Sequence, residues 1–186
     1  MVEDTVFVGS TDTHIYAVDR DTDTIHWTLE TGGAVSTSPT VSDGTVFVWS
    51  ETDALYAVDA DTGAQQWAFD PGEAMITSPT VAEDTVLIGG WDGNVYAVDT
   101  ETGTQQWVFE TDESVSTPTV VSGTVFVGTE GGTLFGVDAA TGSKQGKLEV
   151  SDEGIASPTV EDGTGFVRSR DETLHAVKTG VSASNE

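Results

Sequence analysis

Ala57-Val58-Asp59-Ala60-Asp61-Thr62-Gly63-Ala64-Gln65-Gln66-Trp67 is the stretch whose reading decides the fold, because close copies of it recur along the chain. Ala17 to Trp27 reads AVDRDTDTIHW, Ala97 to Trp107 reads AVDTETGTQQW, and Gly136 to Gly146 reads GVDAATGSKQG. A fifth copy starts at Ala176 and breaks off at Gly180. The steps between copies are 40, 40, 39 and 40 residues. A fixed period of about 40 marks a repeat array, in which each unit buries its apolar face against the next.

Working outward from the quoted stretch, each period holds four short segments. In the second full repeat they are Ser78–Val81, Thr85–Gly89, Asn94–Asp99 and Thr104–Phe109. All are rich in β-branched and aromatic residues and bounded by Gly, Asp, Asn or Pro, which reads as four strands and no helix. Asp92-Gly93 and Gly131-Gly132 sit between the second and third segments and suit a two-residue hairpin turn with both residues at positive φ. Asp99-Thr100-Glu101-Thr102-Gly103 supplies a carboxylate that can accept backbone N–H groups two residues on, followed by a glycine for the left-handed position. Segments such as Thr-Val-Phe-Val are apolar on both sides, so both faces of each small sheet are expected to be covered. Four-stranded antiparallel sheets covered by copies of themselves at this period are the blades of a β-propeller. The fold class expected is therefore all-β, with about four to five blades present.

Charge sets a second boundary. The chain carries 32 Asp and Glu against 6 Lys and Arg, a formal net charge of -26. Such a surface repels nucleic-acid phosphates and anionic lipid headgroups, which argues against both as partners. It also repels itself unless salt shortens the Debye length, to about 3 Å at 1 M. The acid-rich, Lys-poor, Thr-rich composition resembles that of halophilic archaeal proteins. No run of 18 apolar residues exists to insert in a membrane, and MVEDTVFVGS lacks the basic and apolar regions of a signal peptide. With no cysteine, there is no disulfide, thiolate nucleophile or Cys-ligated metal.

The motif AxDxxTGxxxW, complete at 57–67 and 97–107, resembles the tryptophan-docking repeat of pyrroloquinoline quinone-type β-propellers, and SPTV followed by TVFVG resembles the first half of that repeat. The first copy has Asp23 in place of the glycine, the fourth has Gly146 in place of the tryptophan, and the fifth has Lys178 in place of the aspartate. The resemblance implies that Trp27, Trp67 and Trp107 are structural, each docking against the neighbouring blade. It also implies what a quinone enzyme would need: a vicinal disulfide, and Glu, Asn and Asp around Ca²⁺. Without cysteine the first is impossible, and no cofactor is expected. Other propellers of this kind serve as scaffolds without a quinone.

Aligning the repeats on themselves gives a propeller over 1–180: a partial blade at 1–30, full blades at 38–70, 78–110 and 117–150, a partial blade at 157–178, and a polar tail at 181–186. Because both partial blades contain the second and third strands, they duplicate each other and cannot merge. The register therefore leads to the expectation of a fragment of a seven- or eight-bladed ring. The alternatives are a small five-bladed ring or self-association through unpaired edge strands.

Few groupings could carry chemistry. Asp19, Asp21 and Asp23 have the spacing of the start of a Ca²⁺ loop but lack its later glycine and glutamate. His14, His26 and His175 are scattered, and no nucleophile motif or phosphate loop occurs. What remains is surface. The AxDxxTG turns lie on one rim and repeat nearly unchanged; the loops of the other rim vary and are the expected seat of recognition. There Trp91, Trp49, Glu73 and Met75 are candidate contacts for a protein partner, with Trp49 equally readable as packing within a blade. The expected function is a non-catalytic interaction scaffold in a high-salt organism. The competing reading is a fragment of a quinone-dependent oxidoreductase whose cofactor site lies elsewhere.

Overall fold

In the computed structural model the described residues are 4–52, 54–72 and 77–180, and they form five antiparallel sheets with no helix. The first sheet holds β1 (Thr5–Gly9), β2 (His14–Asp19) and β3 (Ile25–Glu30). The second runs β4 (Thr40–Ser42), β5 (Thr45–Ser50), β6 (Ala54–Asp59) and β7 (Gln65–Phe69). The third is β8 (Thr80–Ala82), β9 (Thr85–Gly89), β10 (Asn94–Asp99) and β11 (Gln105–Glu110). The fourth is β12 (Thr119–Val121), β13 (Thr124–Gly128), β14 (Thr133–Asp138) and β15 (Lys144–Glu149). The last contains β16 (Thr159–Glu161), β17 (Thr164–Arg168) and β18 (Leu174–Lys178). Each strand pairs with its sequence neighbours, so every sheet is a simple meander and one blade of a β-propeller.

Apolar side chains on alternate strand positions fill the spaces between consecutive blades. Along β5, Val46 and Val48 join Ile15, Val35 and Val58 toward the first blade. Phe47 and Trp49 join Leu55, Val86, Ile88 and Tyr96 toward the third. This is the period of two that a strand covered on both faces requires. Leu87, Val95, Val125 and Val137 fill the next space, and Phe126, Leu134, Ile155 and Val167 the last. Burying one such side chain contributes about 1.5–3 kcal/mol, so the core is a series of inter-blade layers.

Two kinds of polar tie join the layers. On the inside, the hydroxyl of the threonine after the proline in the second, third and fourth blades donates to the proline carbonyl of the next blade: Thr40 to Pro79 at 2.6 Å, Thr80 to Pro118 at 2.8 Å and Thr119 to Pro158 at 2.7 Å. On the outside, the indole N–H of Trp27 donates to the Ala60 carbonyl at 3.0 Å, that of Trp67 to Thr100 at 3.0 Å and that of Trp107 to Ala139 at 2.9 Å. Each ring covers the glycine of the next blade's turn so closely that a Cβ on Gly63 or Gly103 would lie 2.6 or 2.7 Å from the indole. Those glycines also have φ of 73° and 70°, so they are fixed by backbone and by ring alike.

The turns differ from the sequence reading in one respect. The two-residue hairpin with both residues at positive φ joins the first and second strands of a full blade, at Asp43-Gly44 (φ 45° and 75°) and Ser122-Gly123 (47° and 73°). Between the second and third strands only the last turn residue is left-handed, Gly93 at 86° and Gly132 at 82°. There the Gly90 carbonyl accepts the Gly93 N–H while the Gly90 N–H donates to Asn94 at 2.9 Å. The loop is thus longer than two residues, and Asp92 keeps negative φ.

Candidate functional site

The two rims use their polar groups differently. On the turn rim, Asp59 Oδ1 accepts the Thr62 N–H at 2.8 Å and its hydroxyl at 2.6 Å, while the Gly63 N–H returns to the Asp59 carbonyl at 2.9 Å. Asp19, Asp99 and Asp138 hold Thr22, Thr102 and Thr141 in the same way. The threonine hydroxyl first, then its N–H, hold all four carboxyls below the ordinary carboxylate range. The repeated aspartates therefore stabilise turns. The residue before each docking tryptophan, His26, Gln66 or Gln106, is the extra residue of a bulge, as where Ala97 pairs with Trp107 and Val98 with Gln105. Freed from the ladder, Gln106 accepts the Thr85 hydroxyl at 2.9 Å and donates to Asp99 at 3.3 Å.

This geometry accounts for Asp19, Asp21 and Asp23 as residues of the turn. The Asp19 oxygen facing the loop is taken by the N–H groups of Asp21 and Thr22, at 3.0 and 2.7 Å, and Asp23 is the left-handed residue of the turn at φ 56°. Among the described residues no three His, Asp or Glu come together as a metal-holding group.

The loop rim is built around Trp91. It lies in the β9–β10 hairpin with 60% of its surface exposed, the largest exposed aromatic among the described residues. Asp92 braces the hairpin by accepting the Asn94 N–H at 3.0 Å and the Tyr96 hydroxyl at 2.7 Å. From the following inter-blade link, the Ser114 hydroxyl donates to the Trp91 carbonyl at 3.1 Å, and Thr111 ties both its N–H and hydroxyl to Gly93. Glu113 in the same link accepts the Gly131 N–H at 2.7 Å and the Thr129 hydroxyl at 2.9 Å, bracing the next hairpin. An exposed indole is thus presented on a backbone held from both sides.

Of the other rim candidates, Trp49 takes the packing alternative. It is 2% exposed and sits in the layer between the second and third blades, paired with Leu55 across the ladder. Its position at the end of β5 is on the inward-facing side of the pleat, so it packs and offers no contact surface. Glu73 and Met75 lie outside the described residues.

One grouping escaped the sequence reading. The Ser169 hydroxyl donates to the Asp171 carboxylate and lies 3.1 Å from His175 Nε2. Asp171 is held low in pKa chiefly by that serine. A nucleophilic serine needs its proton taken by the imidazole and an exposed oxygen. Here the proton points at the aspartate, and Ser169 is 1% exposed. The blades explain the cluster: His175 stands where Tyr16 and Tyr96 stand, and these bond Asp12 and Asp92 of their own hairpins at 2.7 Å. It is a hairpin closure with histidine in place of tyrosine, and repeat-to-repeat alignment is the signal that locates it.

A family profile described as outer membrane protein assembly factor BamB matches residues 11–156 and, overlapping, 92–182. The chain belongs to this PQQ-like repeat family. Its backbone is similar to that of the computationally designed Ika8 protein, with a TM-score of 0.87 and 17% identity over 95% of this chain and 56% of that one. Similarity to BamB from Moraxella catarrhalis gives a TM-score of 0.82 and 23% identity over 96% of this chain and 59% of that one. The designed Ika4 protein matches 78% of this chain and 91% of its own, with a TM-score of 0.72 and 17% identity. At these identities the likeness is one of fold. The chain spans just over half the length of Ika8 and of BamB. No curated protein matches it significantly.

Proposed function

We propose that this PQQ-like propeller is a non-catalytic scaffold that presents its variable loop rim to a protein partner in a high-salt cell. The observation that carries the reading is Trp91, exposed on a hairpin braced by Asp92 and by the Ser114 hydroxyl. Large aromatics held on a rigid backbone are the usual anchors of protein interfaces, because they bury much area for little lost conformational freedom. The repeated aspartates support the same reading, since their carboxylates are engaged in turns. A net charge of -26 fits an environment whose salt screens it.

The test replaces the indole. Trp91→Ala and Trp91→Lys leave the melting temperature unchanged and abolish capture of the partner that wild-type protein retains from a high-salt extract of the source cells. Equal capture by all three proteins contradicts the rim assignment. A titration with pyrroloquinoline quinone, followed by tryptophan fluorescence, separates scaffold from enzyme fragment: saturable quenching at micromolar quinone overturns the non-catalytic reading.

A further inference from the structure

The strands at the repeat position of β18, which are β2, β6, β10 and β14, each pair on both sides. Among the described residues β18 pairs only with β17, so its outer edge presents backbone N–H and C=O groups to solvent. The other blades fix the register of a strand on that edge. Across from Ala17, Ala57 and Ala97 stand Trp27, Trp67 and Trp107, and across from Leu55 and Val95 stand Phe69 and Phe109. Ala176 and Leu174 hold these two positions in β18. An antiparallel strand added there places a tryptophan opposite Ala176 and a phenylalanine opposite Leu174.

The apolar face that such a strand covers is open. Phe166 stands at the repeat position of Phe7 and Phe47, whose rings lie 5.7 and 5.8 Å from Trp27 and Trp67. It is 40% exposed and Leu174 68%, whereas Phe47 and Leu55 are buried. Two large apolar side chains on one sheet face, beside an unpaired edge, offer both parts of a strand-addition site.

Charge sets one further position. In the third and fourth blades a glutamine of the outer strand bridges a threonine hydroxyl and the aspartate of the turn. Gln106 accepts from Thr85 at 2.9 Å and donates to Asp99 at 3.3 Å, and Gln145 accepts from Thr124 at 2.9 Å and donates to Asp138 at 3.0 Å. In the fifth blade Thr164 keeps the threonine position, but Lys178 stands where those aspartates stand, and its Nζ donates to the Thr164 hydroxyl at 3.0 Å. An ammonium is a donor only, so the bridging side chain must accept from both groups. A glutamate does so and supplies the opposite charge.

We propose that β18 is a docking edge for an extended segment of a partner protein, added antiparallel as the fourth strand of this sheet and carrying the pattern Glu-Trp-x-Phe. The glutamate meets Lys178 and Thr164, the tryptophan covers Ala176 and Phe166, and the phenylalanine covers Leu174. Backbone hydrogen bonds supply affinity and the alternate side chains specificity. The edge is independent of Trp91 and of the loop-rim partner. Acetyl-TQEWVFE-amide is the probe, compared with acetyl-TQQWVFE-amide, the sequence of residues 104–110, and with acetyl-TQEAVFE-amide. Each is titrated into the isotope-labelled full chain in 1 M KCl and followed by amide chemical shifts. The glutamate peptide saturates with a Kd at or below about 1 mM, with its largest shifts in β17 and β18. The alanine peptide binds at least about ten-fold more weakly. The glutamine peptide binds about two- to five-fold more weakly, as loss of one exposed ion pair requires. Lys178→Asp restores the residue of the other copies and reverses the order of the glutamate and glutamine peptides. No saturable binding of the glutamate peptide, shifts centred outside the fifth blade, or an unchanged order of the two peptides in Lys178→Asp overturns the proposal.

Discussion

The interface between the second and third blades and that between the fourth and fifth are built from the same repeat, yet only the first carries both polar ties. Each keeps the inner tie from threonine to proline carbonyl, Thr40 to Pro79 in one and Thr119 to Pro158 in the other. The outer tie survives in the first as Trp67 over Gly103, whereas the second has Gly146 and a cavity. The buried phenylalanine is covered in both: Phe47 is 1% exposed and Phe126, its counterpart in the fourth blade, 4%. The inner tie is thus common to both interfaces, and the outer tie is what distinguishes them. In a repeat protein, where stability is a sum of unit and neighbour terms, such differences stay local.

The comparison breaks most readily at a docked tryptophan. Trp107→Ala removes a buried indole and its hydrogen bond to Ala139, and is expected to cost about 3–5 kcal/mol in urea denaturation at constant salt. A loss below about 1 kcal/mol would mean that the outer tie carries little of the interface.

Two glycine substitutions sharpen the contrast. Gly103→Ala places a Cβ 2.7 Å from the Trp67 ring at a φ of 70°, and is expected to cost about 2 kcal/mol or more. Gly146→Ala meets open space at ordinary φ and is expected to stay within about 0.5 kcal/mol of wild type. Equal effects would show that neither the Trp67 ring nor the left-handed backbone constrains Gly103.

The smallest effect is on pH dependence. The Asp99 carboxyl is held below its ordinary value of 3.8, first by the Thr102 hydroxyl. The unfolded chain therefore binds more protons over that range, and stability rises with pH there. The contribution of this turn is complete above about 3.8 and is lost as pH falls through the lowered folded value. Asp99→Asn flattens that part of the acid limb, measured as the difference in urea midpoint between variant and wild type at each pH in 1 M KCl. An unchanged limb would show that the turn does not depend on the charge.

The five meanders were legible because strand length, turn residues and the 40-residue period agree at every level. Thr85–Gly89 and Asn94–Asp99 are strands with the expected bounds. The hairpin after Gly89 was misread because Asp92-Gly93 alone does not reveal that Gly90 bonds Asn94 and lengthens the loop. Trp49 was ambiguous because a strand end near a rim can point either way; burial at 2% follows from its place on the side of β5 that faces the third blade. Trp91 stood out as an aromatic in a turn, but its bracing by Ser114 comes from a residue 23 positions away. The space at Gly146 was visible only as a missing letter, since a motif departure becomes a cavity only when the neighbouring blade keeps its distance.

Native-state hydrogen exchange, resolved by strand, tests the division between inner and outer ties most directly. The amides of β9 and β10, docked on both sides, are predicted to exchange near the global unfolding limit, and those of β17 and β18 through a lower-energy opening. Gly146→Trp is predicted to raise protection in β17 and β18 without changing β9 and β10. Equal protection of the two regions in wild type, or no gain in β17 and β18 with the tryptophan installed, would contradict the account.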